Sequence, residues 1–503
     1  MFPPSPAKPK LFPLLTLLLL LSPSLLTSQL EPPSLPTICV VGAGIAGSSF
    51  AHFVRHYFHP DPSSAARIIM FERNPVVGGR MATVTIAGET FEAGASILHP
   101  KNYYAGNFTE LLHLKRKLPP SSESSLSLGI WDGEKFSLKT LTVESKIPLV
   151  QKIVSFANSV YILLRYGFSL LRMQSFVEIT VNKFLKYYES FETRPIFKTV
   201  DEMLKWAGLY DLTTQTLRDE LVGIALSPLL IEELVTVITR INYGQSTDIS
   251  GLAGAVSLAG SGGGLWSVEG GNWQVVARLI NASDVELHLR EEIDSISYHG
   301  EYYELNSTEG KSYTCQATVI ATPLDEVNIR FNPPITIPKR KLQHTHATFV
   351  RGLLNPEFFG LKAVSEIPEL VGTTENPDLP FSCISVLKQH DETDATYKVF
   401  SRKAMDDTLL DRIFSVRKET IRINWGAYPH YEAPEVFAPF ILDDWHLYYV
   451  NAFENAASTM ETSAVAAENV ARLVLSRLFG KDTVTSPNFM SSYSGGQVLH
   501  SDL

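Results

Sequence analysis

Apolar residues fall along the chain in distinct rhythms. The run Ile38, Cys39, Val40, Val41 is continuously apolar and ends on glycine, as a buried parallel strand does. Beyond Gly47, the residues Phe50, Phe53, Val54, Tyr57 and Phe58 keep helical spacing until the sequence HPDP stops the helix near Pro60. A second apolar run, Ile68 to Phe71, predicts the next strand. Strand, turn, helix and strand in this order open a doubly wound α/β sheet. From about 110 to 250 the pattern is that of long helices rich in Leu, Phe and Tyr, and strand-like alternation returns over 285–322. Residues 340–440 are mixed and aromatic, with no period that can be resolved. The stretch HLYYVNAF (446–453) reads as a last strand, followed by the alanine-rich helix SAVAAENVARLVLSRLF.

Composition narrows this picture. At 503 residues and 45% hydrophobic content, the chain builds one large or two interleaved domains. Lys8 and Lys10 precede the apolar run Leu11–Leu21 and small residues at Thr27 and Ser28, the layout of a secretory signal peptide over 1–30. Arg165 and Arg172 interrupt the best later candidate for a membrane span, near 150–180, so no stable transmembrane segment is expected. Losing two lysines with the leader takes the net charge from −10 to −12, which disfavours nucleic acid or an anionic membrane as partner. Sequons at Asn107, Asn281 and Asn306 agree with passage through the secretory route. Three cysteines do not make a disulfide framework, and Cys39 and Cys315, in apolar strand-like stretches, are expected as buried thiols. His52, His56 and His59 share one helical face, read as the solvated polar face rather than a metal site. No metal is expected.

The candidate chemistry begins at Gly42, Gly44, Ala46 and Gly47, a G-x-G-x-x-G run between a strand and a helix. The first glycine turns sharply, the second admits a pyrophosphate to the backbone, and the third packs helix on sheet. Glu72, followed by Arg73, ends the second strand where a carboxylate accepts hydrogen bonds from a ribose diol. A second glycine pair, Gly78 and Gly79, with Arg80, returns backbone amides and a guanidinium to the same pyrophosphate. These residues resemble the GG motif of the flavin-dependent amine oxidase superfamily, which implies FAD. The resemblance further implies cofactor contacts from Gly94, Ala95 and Ser96, from Ile293, and from Glu454, Met460 and Glu461 near the last strand and helix. The flavin-linking cysteine of some amine oxidases has no counterpart, so noncovalent FAD is expected.

More specific blocks are FEAGASILHPKN (91–102), RINYGQSTDISGLAGAVSLAG (240–260), LWSVEGGNWQVVARLI (265–280) and ENAASTMETSAVAAENVA (454–471). Together they resemble the prenylcysteine oxidase, or farnesylcysteine lyase, family from about Thr37 to Gly480. The implied fold is an FAD-binding Rossmann-like doubly wound domain interleaved with a largely helical plus mixed α/β substrate domain. Its expected boundaries are 37–105, 251–330 and 441–480 for the cofactor domain, 106–250 and 331–440 for the substrate domain, and a tail over 481–503. The implied reaction takes farnesyl- or geranylgeranyl-cysteine, O2 and water to a prenyl aldehyde, free cysteine and H2O2. His99 and Tyr243 are the candidates for the water-adding step. An amine or polyamine oxidase, or a prenyl-lipid carrier without turnover, are the alternatives. The lysosomal or vacuolar lumen is the expected compartment, with the ER lumen or the extracellular space as alternatives, and oligomeric state is left open.

Overall fold

The computed structural model describes residues 35–57, 66–118, 127–141, 148–189 and 193–480. The signal-peptide segment, His59 and the C-terminal tail lie outside the described residues.

Strand β1 (Thr37–Val41) runs directly into the glycine turn and helix α1 (Ile45–Tyr57), and strand β2 (Arg67–Glu72) returns parallel to β1. These strands are buried through almost their whole length, which is why their sequence is continuously apolar rather than alternating. The parallel sheet has five strands in the order Leu447–Tyr449, Ala317–Ile320, β1, β2, Val285–Leu289. Helix α1 packs against Met460–Leu478. One sheet is therefore assembled from chain segments more than 400 residues apart.

A second, four-stranded sheet spans 293–332. A third sheet of seven strands resolves the region whose pattern is illegible in sequence: Phe414–Pro429, Leu342–Leu354, Asp394–Ser401, Cys383–Asp391, Leu370–Thr373, Leu128–Trp131 and Phe136–Lys139. Its two longest strands pair with register shifts at Gln343/His344, Arg351/Gly352 and Leu353/Leu354. Each shift resets the inside–outside alternation and erases the period of two. Two of its strands come from 128–139, inside the stretch expected to be mostly helical. Helix α2 (Tyr103–Leu111) precedes the strands 128–139 of this sheet in the chain, and helices α3 (Pro148–Tyr166) and α4 (Ser169–Phe184) follow them.

Three local expectations are corrected. Cys39 and Cys315 are not thiols: they form a disulfide with Cα atoms 5.8 Å apart, 276 residues apart in sequence. Parallel pairing of Ile38 with Ala317 brings Cys315 beside β1, a proximity that no local spacing encodes. His52 is not on a solvated face. It is 3% exposed, set edge-on to Phe108, and burial pulls its imidazole down to about 3. Asn107, in α2, is 4% exposed, its side chain enclosed by the fold rather than on the surface expected of a sequon, whereas Asn281 is exposed. Asn306 is half-buried, its amide donating to Ser295 and Glu304.

The disulfide closes a very long loop of the unfolded chain, which favours the folded state. The double substitution Cys39→Ser/Cys315→Ser should cost about 2–4 kcal/mol of stability, read as a lower denaturant midpoint than that of the oxidised protein.

Candidate active site

The glycine turn is shaped by contacts that leave no room for side chains. Gly42 has φ of +113°, and a Cβ there would lie 2.6 Å from the Ala321 carbonyl oxygen. A Cβ on Gly47 would lie 2.1 Å from the Gly42 oxygen, so only glycine lets α1 sit this close to β1. Glu72 is buried at the end of β2, and its carboxylate accepts from the Ala43 N–H at 3.1 Å and the Asn74 N–H at 2.9 Å. It thereby ties the glycine turn to the neighbouring strand. The second glycine pair abuts the first: the Gly78 N–H donates to the Ala43 carbonyl at 2.9 Å, and a Cβ on Gly79 would stand 3.5 Å from the Gly44 Cα.

These segments wall a cavity of about 530 Å³ lined by Gly42, Gly44, Ala46, Glu72, Arg73, Gly78, Gly79, Arg80, Gly94, Ala95, Ile293 and Met460, all expected from sequence. Gly47 supports it from behind through its packing on Gly42. The cavity fits a dinucleotide on two observations. The first turn of α1 carries no acidic residue, so the positive end of the helix dipole faces the space where a pyrophosphate would lie. The buried Asn451 Oδ1, on the same wall, has no hydrogen-bond partner among the described residues.

Three expected cofactor contacts are placed elsewhere. Glu454 lies behind the wall, where it pairs with Arg80 at 2.5 Å and Arg340 at 3.3 Å and accepts from Asn451 Nδ2 and Ser458 Oγ. Burial works to raise its pKa, but the two guanidiniums win and hold it at about 2. Its task is to aim Arg80, whose guanidinium also donates to the Ala427 carbonyl at 2.7 Å. Glu461 does not line the dinucleotide cavity: it accepts from the Tyr104 and Ala105 N–H groups in the first turn of α2 and from Tyr188 Oη. It serves that helix as an acceptor for otherwise unpaired N–H groups. Ser96 faces the second cavity only.

That second cavity, of about 500 Å³, is walled mainly by apolar side chains, among them Leu98, Val181, Phe184, Leu252, Val256 and Leu387. The two cavities meet at a shared wall that includes Gly94, Ala95, Phe400, Tyr428 and Met460. One floor of the apolar cavity is a face of the seven-stranded sheet, presenting Cys383, Ser385 and Leu387 from one strand and Lys398 and Phe400 from the next. His99 and Tyr243 also line it. His99 accepts from the Lys101 N–H through Nδ1, and burial lowers its pKa, so the neutral ring presents N–H at Nε2. Tyr243 is buried with its phenol donating to the Ser458 carbonyl at 3.2 Å, and burial pushes its pKa well up.

Sequence reasoning missed Lys398. Its ammonium is buried, donates to the Glu92 carbonyl at 2.9 Å and to Ser96 Oγ at 3.3 Å, and sits over the Phe400 ring. Burial pulls it down to about 8, against the opposing influence of Cys383 and Glu92. Burial likewise lifts the Glu92 carboxyl to about 7. The available signal was the alternation Thr396, Lys398, Phe400, which puts a lysine in an inward-facing series.

A model described as prenylcysteine lyase matches residues 149–486, two thirds of the chain, and one described as an NAD(P)-binding Rossmann-like domain matches 40–113. The chain belongs to the prenylcysteine lyase family. It is similar to the farnesylcysteine lyase of Arabidopsis thaliana, at 62% identity over 489 residues, covering 96% of this chain and 97% of the relative. It is 35% identical over 472 residues to human prenylcysteine oxidase 1, covering 88% and 89%. Among solved structures, cyclohexylamine oxidase from Brevibacterium oxydans IH-35A aligns with a TM-score of 0.58 at 17% identity, over 88% of this chain and 99% of that one. A putrescine oxidase bound to putrescine aligns with a TM-score of 0.56 at 14% identity, over 88% and 99%. These last two likenesses show the fold that this member of the prenylcysteine lyase family shares.

Three carboxyls of this family member, Glu461 buried and Glu92 and Glu435 half-buried, stand above their ordinary range through desolvation: Glu92 and Glu461 at about 7, and Glu435 at about 8. A folded pKa above the unfolded one stabilises the fold fully below about pH 4.5, and that stabilisation is lost as pH rises through the folded values of 7 to 8. His52, and with it His56, His99, His346 and His446, all lowered by burial, work oppositely below their unfolded value of 6.5. The contribution of Glu461 is isolated by comparison with Glu461→Gln: the thermal midpoint of the wild type relative to that variant should fall from pH 6 to pH 8.

Proposed function

We propose that the protein is an FAD-dependent oxidase that cleaves S-prenyl-L-cysteine. A farnesyl- or geranylgeranyl-cysteine, O2 and water give a prenyl aldehyde, free cysteine and H2O2. The observation that carries this reading is the shared wall at Gly94, Ala95, Tyr428 and Met460, which sets an apolar cavity directly against a glycine-lined dinucleotide cavity. Bound FAD supplies a two-electron acceptor for the C–H bond between the substrate's sulfur and its allylic double bond. The chain's own residues bind and orient. Leu98, Phe184, Leu252 and Val256 offer the apolar surface a prenyl chain needs, in a volume within the ~300–1,000 Å³ of small-molecule sites.

Lys398 is the cation for the α-carboxylate of the cysteine. Below about pH 8 it is charged, and its three N–H donors outnumber the two acceptors it meets. His99, with Nε2–H towards the cavity, orients water rather than removing its proton, and Tyr243 holds the Ser458 loop at the shared wall. Noncovalent attachment is supported by the cysteines: two are joined to each other, and the third, Cys383, lines the apolar cavity with its thiol pushed up to about 12. The disulfide supports residence in an oxidising lumen, and the acid-favouring carboxyls support the lysosome or vacuole. Exposed Asn281 is the sequon best placed to carry a glycan.

Anaerobic titration with farnesylcysteine should bleach the flavin absorbance stoichiometrically and release free cysteine once O2 is admitted. A colourless protein, flavin that stays oxidised, or bleaching by amines alone would overturn the reading. Lys398→Met should raise KM for farnesylcysteine by roughly 10- to 100-fold, the worth of a charge-assisted hydrogen bond, while KM for a thioether without the carboxylate stays unchanged.

A further inference from the structure

Helices α3 and α4 present an apolar surface that stays exposed among the described residues. On α3, Ile153, Phe156, Val160 and Leu164 recur at three- and four-residue spacing, so they share one face, and all are exposed. Leu164 is 80% exposed, and Phe168, at the corner between the helices, is 76% exposed. The helix pair bends by 93° there, and among the described residues no single helix is long and apolar enough to cross a membrane. The corner is extended by a neighbouring loop. Arg172 donates to the Ala225 carbonyl at 2.5 Å and the Ser227 N–H donates to Ser169 Oγ at 3.0 Å, which bring exposed Val222 and Leu229 to the same region.

Two further observations say what covers this surface. The first is charge. Between residues 148 and 188, Lys152, Arg165, Arg172, Lys183 and Lys186 stand against Glu178 alone, a local balance of +4 in a chain of net −10. Arg165 is spent on fixing the pair to the body of the protein, through hydrogen bonds to both carboxylate oxygens of Glu233 at 2.8 and 2.6 Å. Of the remaining cations, Lys152 adjoins Ile153 on α3, Arg172 lies one turn beyond the corner, and Lys183 and Lys186 stand at the far end of α4, so positive charge recurs along the pair, as in amphipathic helices that adsorb to anionic lipid. The second is continuity. Thr180, Val181 and Phe184, near the other end of the same α4, line the apolar cavity, and exposed Leu171 and Ile179 lie along the helix between the corner and that wall.

We propose that the bent α3–α4 pair docks on an anionic phospholipid bilayer. The Leu164–Phe168 corner enters the boundary between headgroups and acyl chains, and the wall formed by α4 faces the membrane. The negative charge of the whole chain argues against such a partner only while charge is averaged over the molecule. That a lipid-like substrate moves from bilayer to cavity along α4 rests on the functional reading above; the docking itself does not.

The test is flotation of the FAD-loaded protein with phosphatidylcholine vesicles, with and without phosphatidylserine. The protein should float with the phosphatidylserine vesicles and be released by high salt. Leu164→Asp/Phe168→Asp, which removes two large apolar side chains from the corner, should weaken partitioning by about 100-fold, with flavin content unchanged. Lys152→Glu/Lys186→Glu leaves the apolar face intact and should abolish the preference for phosphatidylserine, which keeps the test decisive if the first variant misfolds. Wild-type protein that stays soluble with both vesicles, or variants that float like wild type, would overturn docking. So would an apolar face covered by a second copy, seen as a dimer in sedimentation that the corner variant dissociates without any flotation. Flotation needs no turnover, so its failure is distinct from a failure of flavin bleaching by farnesylcysteine.

Discussion

The cofactor side of the molecule depends on one buried carboxylate. Glu454 has no access to solvent through which to recover its hydration, and it stays ionised because Arg80 and Arg340 reach it from opposite sides. Arg80 belongs to the glycine-pair segment, Arg340 precedes the strand Leu342–Leu354, and Glu454 follows the last strand of the parallel sheet. Three stretches that share no local sequence are thus held at one point on the cavity wall. Arg340 also pairs with Asp325 at 2.6 Å, which carries the network to the loop after the strand Ala317–Ile320. Taking away one partner of such a buried pair costs about 3–5 kcal/mol because the other charge is stranded.

The apolar cavity follows a different logic. It is built from one face of a sheet, one side of α4 and the segment 97–99, with Lys398 as its buried cation and the less enclosed Lys101 and Lys117 elsewhere on its lining. A lysine ammonium in such surroundings is costly unless something anionic compensates, and the Glu92 beside it is itself lifted towards neutrality. The protein therefore holds an electrostatic vacancy in an otherwise greasy site. A ligand with a long apolar tail and one negative end satisfies both parts.

What could be read from sequence divides along physical lines. Features set by neighbours in the chain were legible: the buried run of β1, the glycine turn, the helical spacing of α1 and the acid at the end of β2. Features set by meetings of distant segments were not. Cys39 and Cys315 are brought together only by the crossover that pairs β1 with Ala317–Ile320. His52 lies at a polar-looking position on α1, and only the packing of α2 across it, through Phe108, buries it. The 340–440 region hid a sheet because bulges broke its alternation and two of its partner strands come from 128–139. Glu454 and Glu461 were found as residues of consequence, but what each one touches is decided by segments no window includes.

The strand order of the parallel sheet bears on how the protein is made. Its central strand is synthesised early, while one flanking partner lies near 317 and the edge strand near 447. The apolar β1 and β2 must therefore wait for most of the chain to be synthesised before their sheet can be completed, and they remain exposed to wrong partners meanwhile. The glycine turn is thus placed early in the chain, but the sheet that holds it is completed only by a strand near the other end.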